Sequence, residues 1–317
     1  MRVLVIGGGQ NAEHDVSLAS AAAVARALTE AGHEVRTVTI SREGVWDAAP
    51  GESAAASMAA ALRMLDGVDV VFPAVHGAPG EDGSLAALCA LAGVRVVGSA
   101  SRAGAIGMDK HVTKLVAASV GIATAQGRVV AASDIGDVEF ARPVVVKPVS
   151  AGSSYGVSLV DRAEDLPGAL RQAASFDRRV LVEQVVRGRE IDVAVIREAG
   201  GVRWAAPPLE IHAAGLFDTA TKYDGTARFT VPASLTRGEA ASLSRAAVTM
   251  FDALGCAGVA RMDFFLTDEG PVLNEVNTMP GLTAASQVPR MFAAAGIEYP
   301  ELIDRLVRAA AVPGAGS

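Results

Sequence analysis

The sequence is poor in cysteine, has no excess of basic charge and lacks an uncharged apolar run long enough to span a membrane. Cys89 and Cys256 match neither a metal-binding spacing nor a disulfide framework, so we expect buried thiols in a reducing compartment. The net charge is -7 with dispersed basic residues, which argues against nucleic acid as a partner. The N-terminus lacks the features of a signal peptide. These absences predict a cytoplasmic protein without membrane or nucleic-acid partners.

The N-terminal part of the chain alternates between predicted strands and predicted helices. The apolar strands of the N-terminal part are predicted at 3–6, 35–40, 68–74 and 94–97. Alanine-rich helical segments separate them, a pattern typical of a parallel sheet with crossover helices. The 317 residues, half of them hydrophobic, are enough for two or three domains with their own cores. We predict an α/β domain at 1–98 and two α+β domains at 99–186 and 187–317.

The segment 261–277 carries the strongest chemical signal. It reads as two strands joined by a turn at 268–270. Side chains alternate along a strand, so Arg261 and Asp263 share one face of the first strand. For the same reason, Leu273, Glu275 and Asn277 share one face of the second strand. If these faces coincide, two carboxylates and an amide converge beside a guanidinium. Hard oxygen ligands of this kind suit Mg²⁺ bound together with substrate phosphates, the alternative being a hairpin with solvated acids.

The glycine loop at 7–12 fits the dinucleotide-binding fingerprint after a strand. The next strand ends in Ile40-Ser-Arg42, without the acidic residue that would bind a ribose. Six residues in a glycine-rich chain match this pattern easily. NAD(P) binding is therefore a disfavoured alternative.

A second glycine loop, 147–156, lies between two predicted strands and lacks the Gly-Lys-Ser/Thr ending of a P-loop. Its backbone N–H groups and hydroxyls could fold over phosphate oxygens as a lid. Lys147 and Lys110 are candidate positive charges for those phosphates. Taken singly, each feature could equally be a solvated turn or a surface lysine.

In their order along the chain, these motifs resemble the ATP-grasp superfamily and, within it, the D-alanine–D-alanine ligases. The matching segments are 7–18, 72–83, 107–110, the lid at 147–156, the segment 180–190 and 274–281. The likeness runs from residue 1 to about residue 310. It implies a Rossmann-like N-terminal domain, two α+β domains that sandwich ATP, and a homodimer. It also implies ATP-dependent formation of D-alanyl-D-alanine through a D-alanyl phosphate, for peptidoglycan precursor synthesis.

The resemblance assigns roles to the residues that contact nucleotide and metal. It implies that Lys110, Lys147, Ser153 and Ser154 hold the phosphates, that Glu183 and Glu190 meet the adenosine, and that Asp263, Glu275 and Asn277 bind two Mg²⁺ ions or Mn²⁺ in their place. Arg261 and the backbone N–H of Gly281 would stabilise the tetrahedral oxyanion. Most of the catalysis would then come from electrostatics and positioning.

The same resemblance assigns the amino-acid subsites. It implies that Glu13 pairs with the ammonium of the first D-alanine beside His76, that Ser153 and Tyr223 hydrogen-bond with Glu13, that Lys222 reaches the transferring phosphate, and that Ser286, next to Gln287, holds the carboxylate of the second substrate. A carboxylate at the start of a helix, as at Glu13, also interacts favourably with the helix dipole.

Three positions depart from the family pattern. The loop before Lys222-Tyr223 is poorer in tyrosine, Tyr155 replaces a small aliphatic residue, and Gln287 replaces Leu or Met beside the acceptor subsite. Gln287 and the loop leave open a ligase with another acceptor, such as D-serine, D-lactate or a specialised-metabolite amine. A non-catalytic nucleotide-binding or NADP-dependent protein is the alternative from a different class.

Overall fold

A computed structural model describes residues 1–47, 53–212 and 228–312. The N-terminal part consists of β1 (Arg2–Gly8), α1 (His14–Glu30), β2 (Glu34–Ile40), α2 (Ala54–Arg63), β3 (Val70–Pro73), α3 (Ser84–Leu91) and β4 (Arg95–Val96). Its strands form a parallel sheet in the order β2-β1-β3-β4. β1 is buried from Val3 onward because helices cover both faces of such a sheet.

The central part is built around a second sheet. It consists of α4 (Ser101–Met108), α5 (Lys110–Ser119), β5 (Ala123–Thr124), β6 (Gly127–Ala131), β7 (Val144–Pro148), β8 (Ser158–Val160), α6 (Leu166–Ala174) and β9 (Arg179–Gln184). The antiparallel order is β6-β9-β7-β8, and α6 packs its apolar face on this sheet. Asp109 separates α4 from α5 and caps α5 by accepting from the Val112 N–H at 2.9 Å. That cap fixes the start of the helix that carries Lys110.

The C-terminal part contains the strands of the chemical signal. It consists of β10 (Arg189–Arg197), β11 (Arg203–Ala205), β12 (Leu209–His212), β13 (Arg228–Thr230), α7 (Arg237–Leu254), β14 (Val259–Thr267), β15 (Gly270–Asn277), α8 (Gln287–Ala294) and α9 (Tyr299–Ala311). The sheet runs β13-β12-β10-β14-β15-β5, with β11 also paired to β10. A capping box at Thr236 and Glu239 starts α7, and Gly255 at φ 70° ends it. The buried face of β10, β14 and β15 packs on α7.

The predicted α/β and α+β fold class is confirmed. The division into domains at 98 and 186 stays a prediction, since β5 from the central stretch pairs with β15. Within the described ranges, no helix combines the length and apolar character needed to cross a bilayer.

The predicted position of Leu273 is wrong. A β-bulge shifts the register between β14 and β15, so that Asp263 pairs with Glu275 whereas Phe264 pairs with Leu273. The extra residue in the bulge is Asn274. Leu273 therefore packs with Phe264 in the apolar core, where both also border the cavity described below, while Glu275 keeps the polar face with Asp263.

Candidate active site

Two cavities meet at Arg261 and Glu275. The first cavity, of about 420 Å³, is lined by Lys110, Lys147, Ser154, Glu183 and Glu190 together with apolar residues of β7, β8 and β15. We call it the nucleotide cavity because these five residues are among the predicted phosphate and adenosine contacts. The second cavity, of about 500 Å³, is called the substrate cavity because it contains the predicted amino-acid contacts; it is lined by Glu13, His76, Ser153, Asn277, Gly281, Ser286 and Gln287. Both cavities include Arg261 and Glu275 in their walls. A group passing from one ligand to the other would meet these two side chains.

Arg261 is the centre of a largely buried polar network on the sheet. Its Nε and Nη2 donate to Asp263 at 2.7 and 2.8 Å, a bidentate pair. Its Nη1 donates to Gln287 Oε1 at 2.8 Å, and its Nε lies 3.3 Å from Asp192. Gln287 Nε2 donates in turn to Asp192 at 2.8 Å. We call Arg261, Asp192, Asp263 and Gln287 the arginine cluster.

The charge of Arg261 is fixed by its neighbours. Burial on its own would lower the pKa of Arg261, but the carboxylates of Asp263 and Asp192 raise that pKa well above its usual range. The guanidinium therefore stays protonated through any reaction in the cleft. It presents a fixed positive charge held in one plane.

A second buried network lies beside the nucleotide cavity. Glu183 is 3% exposed and forms ion pairs with two lysines, with Lys114 Nζ at 2.5 Å and Lys147 Nζ at 2.7 Å from its carboxylate oxygens. Lys147 also donates to Asn274 at 3.1 Å, the residue that the bulge inserts. Lys110 Nζ donates to the carbonyl of Ala151 at 2.6 Å. We call Lys110, Lys114, Lys147 and Glu183 the lysine cluster.

The pKa values in the lysine cluster follow from burial and mutual charge. Burial lowers the pKa of Lys114, and Lys147 adds to that effect, while Glu183 opposes it. Burial acts to raise the pKa of Glu183, but Lys147 and Lys114 together lower it. Two of the three lysines pair with Glu183, and the third, Lys110, donates to a backbone carbonyl. Three cations and one carboxylate leave the cluster with an excess of positive charge, which fits the phosphates of a nucleotide.

The loop 149–156 covers the junction of the cavities. Ser153 and Ser154 have φ of 47° and 58°, the left-handed region that costs a non-glycine residue roughly 1–2 kcal/mol. The hydroxyl of Ser153 donates to the carboxylate of Glu13. Tyr155, one of the departures from the family pattern, packs its ring 6.0 Å from that of Phe176. The loop is thus tied to the N-terminal part at one point and to the end of α6 at another.

Glu13 is positioned by Asn11, a residue that sequence reasoning missed. The Glu13 N–H donates to Asn11 Oδ1 at 2.8 Å, and Asn11 Nδ2 donates to the carbonyls of His76 and Ala78 at 2.8 and 2.6 Å. Asn11 therefore joins the first glycine loop to the segment after β3. This is why Glu13 and His76 line one cavity.

His76 is buried at the centre of three segments. The backbone N–H of His76 donates to Ser17 Oγ at 2.9 Å. In its ring, Nε2 lies 2.9 Å from Ser20 Oγ and Nδ1 lies 3.2 Å from the Met279 carbonyl. Burial lowers the pKa of His76, but the carboxylates of Glu81 and Glu13 raise it above its usual value. Glu81, also missed by sequence reasoning, lies 3.7 Å from Nδ1.

We call residues 281–287 the acceptor segment, because they include Ser286 and Gln287, which were predicted beside the second substrate. Ser286 Oγ accepts from the Thr283 N–H at 3.1 Å and lies 2.8 Å from the Thr283 hydroxyl. A Cβ on Gly281 would approach Ser286 Oγ to 3.2 Å, so a glycine suits this tight turn. α8 begins at Gln287, directly after Ser286.

The structure brings most of the predicted residues to this cleft. Lys222 and Tyr223 are exceptions, since they lie outside the described residues. The side chain of Glu183 is paired with lysines, so its adenosine-binding role stays a prediction. Lys114 and Asp192 were missed, although Lys114 is four residues after Lys110 on α5 and Asp192 alternates with Glu190 on β10. The helical and strand periodicities were available signals.

The predicted metal ligands lie on neighbouring strands, where Asp263 pairs with Glu275 and Arg261 with Asn277. An ionised carboxylate has about four acceptor positions. Arg261 and Asn277 donate to the Asp263 carboxylate at three of them. Within the part of the chain that the structure describes, no group of three or more acidic, His or Cys side chains could hold a metal by itself. The oxygen donors nevertheless fit Mg²⁺, which needs one or two carboxylates when phosphates complete its coordination.

Solved structures share this architecture. VanG D-Ala:D-Ser ligase from Enterococcus faecalis superposes with a TM-score of 0.81 at 30% identity, covering 96% of this chain and 98% of that one. The D-alanine-D-alanine ligase from Coxiella burnetii gives 0.80 at 29% identity, covering 98% and 94%. Fold and cleft together define a ligase of the ATP-grasp class.

Sequence comparison places the chain more closely. Residues 2–99 match the family model "D-ala D-ala ligase N-terminus", and residues 125–308 match "D-ala D-ala ligase C-terminus". A D-alanine--D-alanine ligase of Mycobacterium avium is 37% identical, with 100% of this chain and 98% of the relative aligned. One from Mycolicibacterium vanbaalenii is 38% identical over the same shares. The chain belongs to the D-alanine–D-alanine ligase family.

Proposed function

We propose that the protein joins two D-alanine molecules at the expense of ATP, with Mg²⁺, to make the dipeptide of a peptidoglycan precursor. The observation that carries this proposal is the junction of the two cavities at Arg261 and Glu275. One cavity has the positive charge for phosphates, and the other has the carboxylate and hydroxyl groups that suit an amino acid.

The first step is transfer of the γ-phosphoryl group. Lys110 and Lys147 hold the phosphates, and Glu13 pairs with the ammonium of the first D-alanine. The substrate carboxylate then attacks the γ-phosphorus, and the bond to the oxygen of departing ADP breaks. Asp263, Glu275 and Asn277 would hold Mg²⁺, which supplies neutralisation of phosphate charge when bound.

The second step is formation of the peptide bond. The amine of the second D-alanine, whose carboxylate Ser286 holds, attacks the carbonyl carbon of the acyl phosphate. Arg261 and the Gly281 N–H stabilise the oxyanion that forms. Orthophosphate leaves as the carbonyl is restored, and one proton is released from the amine. Water is kept from the acyl phosphate by the closed loop between Ser153 and Glu13.

Product analysis tests this function. The purified enzyme with ATP, Mg²⁺ and D-alanine should release ADP and orthophosphate and yield a product with the mass of D-alanyl-D-alanine. Release of AMP with pyrophosphate would rule out the acyl phosphate. Omitting Mg²⁺, or supplying Mn²⁺ in its place, tests the metal requirement in the same assay.

A second acceptor is a distinct candidate because the Enterococcus faecalis relative is a D-Ala:D-Ser ligase. Competition between D-alanine and D-serine or D-lactate, with the products separated by mass, decides it. We also propose a cytoplasmic homodimer, in keeping with the family resemblance. Sedimentation of the purified protein tests the dimer.

A further inference from the structure

The arginine cluster places a neutral side chain between charged ones. Gln287 Oε1 accepts from Nη1 of Arg261, and Gln287 Nε2 donates to Asp192, each at 2.8 Å. Gln287 opens α8, whereas Asp192 and Arg261 lie on the adjacent strands β10 and β14. One amide therefore ties the helix after the acceptor segment to the sheet that carries Arg261.

Two carboxylates compete for the guanidinium of Arg261. Asp192 and Asp263 are direct cross-strand neighbours, an arrangement in which like charges repel. Arg261 forms the bidentate pair with Asp263, but its Nε lies only 3.3 Å from Asp192. Asp192 is 2% exposed, so water contributes little to stabilising its charge. The plane of the guanidinium depends on which acid holds it.

Gln287 resolves this competition because an amide both donates and accepts. Its N–H serves Asp192 and its oxygen serves Arg261. Leu or Met at position 287 would remove one donor from Asp192 and one acceptor from Arg261. Glu would keep the acceptor but add a third carboxylate to the cluster.

We propose that Gln287 is a positioning residue that fixes the guanidinium of Arg261 toward the reacting carbonyl. This inference rests on the proposed oxyanion-stabilising role of Arg261. Since Gln287 follows Ser286, consecutive residues would set the acceptor carboxylate and the oxyanion donor. A displacement of about 1 Å at the guanidinium weakens transition-state stabilisation more than substrate binding, so its effect falls on kcat.

A charge-preserving exchange tests the network. Gln287→Leu removes the amide. Gln287→Glu adds one negative charge to the cluster, and Asp192→Asn removes one. The combined Gln287→Glu/Asp192→Asn variant keeps the net charge, with the amide and the carboxylate in exchanged positions. In the combined variant Asn at 192 donates to Glu at 287, which accepts from Arg261. Gln172→Leu, on the exposed face of α6, is the matched control.

We expect Gln287→Leu to lower kcat by roughly tenfold to a hundredfold, the size of a hydrogen bond to a charged group, with KM for ATP unchanged. The two single exchanges should each lower kcat, and the combined variant should return to within about threefold of the wild type. An unchanged kcat in Gln287→Leu would overturn the proposal. So would a combined variant whose fold-loss in kcat equals the product of the fold-losses of the two single variants. If Gln287→Leu does not fold, the exchange decides alone.

The failure of this inference and that of the proposed function can be told apart. Dipeptide formation by the wild-type enzyme tests the function. If no dipeptide forms, chemical unfolding of the wild type, the two single variants and the combined variant still tests the network. Non-additive free energies of unfolding support the contact between positions 287 and 192, and additive ones refute it.

Discussion

The two charge clusters of the cleft, the lysine cluster and the arginine cluster, carry net charges of opposite sign. The lysine cluster contains three cations and one carboxylate, whereas the arginine cluster contains one cation and two carboxylates. Glu275 lies between the two clusters, since it pairs with Asp263 across the strands and its carboxylate is 3.7 Å from Lys110 Nζ. One side has an excess of positive charge for phosphates, and the other has an excess of negative charge for a cation. A nucleotide and the proposed metal ion would together neutralise both excesses.

The largest expected effect breaks the arginine cluster at its centre. Arg261→Lys keeps the charge but loses the planar fork that reaches Asp263 and Gln287 together. We expect kcat to fall by about 10²–10³-fold, as for removal of an oxyanion donor, with KM for ATP nearly unchanged. Steady-state kinetics with Arg171→Lys, on exposed α6, is the matched comparison. A rise in KM for ATP without loss of kcat would place Arg261 in nucleotide binding instead.

Glu275 tests the border between the clusters. Glu275→Gln removes a charge proposed to act during phosphoryl transfer, so we expect kcat to fall by about 10²-fold while the fold stays intact. Asn277→Ala should behave similarly. Kinetics at several Mg²⁺ concentrations and thermal unfolding check this. Near-normal turnover in both variants would mean that the metal is bound elsewhere.

A smaller effect is expected on the lysine side. In Lys114→Met, Lys147 becomes the main partner of Glu183 and is less available to phosphates. We expect KM for ATP to rise about tenfold with kcat changed little, since one charge-assisted contact is lost. Leu115→Met, exposed on the same helix, is the control. The comparison of the clusters would be wrong if kcat fell and KM did not change.

The smallest effect is on stability at acid pH. The pKa of Glu183 is lowered from an ordinary value of 4.5, burial opposing and the lysines causing the net shift. A carboxyl whose folded pKa is lowered contributes stability that is present above the unfolded pKa and lost as pH falls through the folded pKa. The difference in unfolding free energy between wild type and Glu183→Gln should therefore be constant at neutral pH and shrink below about pH 4.5.

Denaturant unfolding across this pH range measures that difference. Glu139→Gln, at an exposed position, should show no comparable change. A gap between wild type and Glu183→Gln that persists at the lowest accessible pH would argue that Glu183 is not held by its lysines.

Features set by neighbouring residues in the sequence could be predicted, whereas contacts between residues far apart in the sequence could not. Alternating strands and helices gave the fold class, and local motifs placed Lys147 and Glu275 in the cleft. The bulge at Asn274 was not predictable, because the alternation of side chains along a strand does not indicate where an extra residue is inserted. Leu273 was misplaced for that reason.

Gln287 shows the other limit of sequence reasoning. Its departure from Leu or Met was visible, but the partners of its amide lie 26 and 95 residues away. Only the packing of α8 on the sheet brings them within hydrogen-bond distance. The chemistry of a position can be read locally, whereas its partners are set by the tertiary structure.

The burial of the lysine cluster makes amine chemistry selective in this protein. The chain has four lysines among twenty-eight Lys and Arg residues. Lys110, Lys114 and Lys147 are 7%, 8% and 5% exposed, and Lys222 lies outside the described residues. An amine-directed reagent thus finds the exposed N-terminal residue and, of the described lysines, only buried ones around the nucleotide cavity. Labelling of Lys110, Lys114 and Lys147, followed residue by residue with and without ATP, would then report on nucleotide binding covalently.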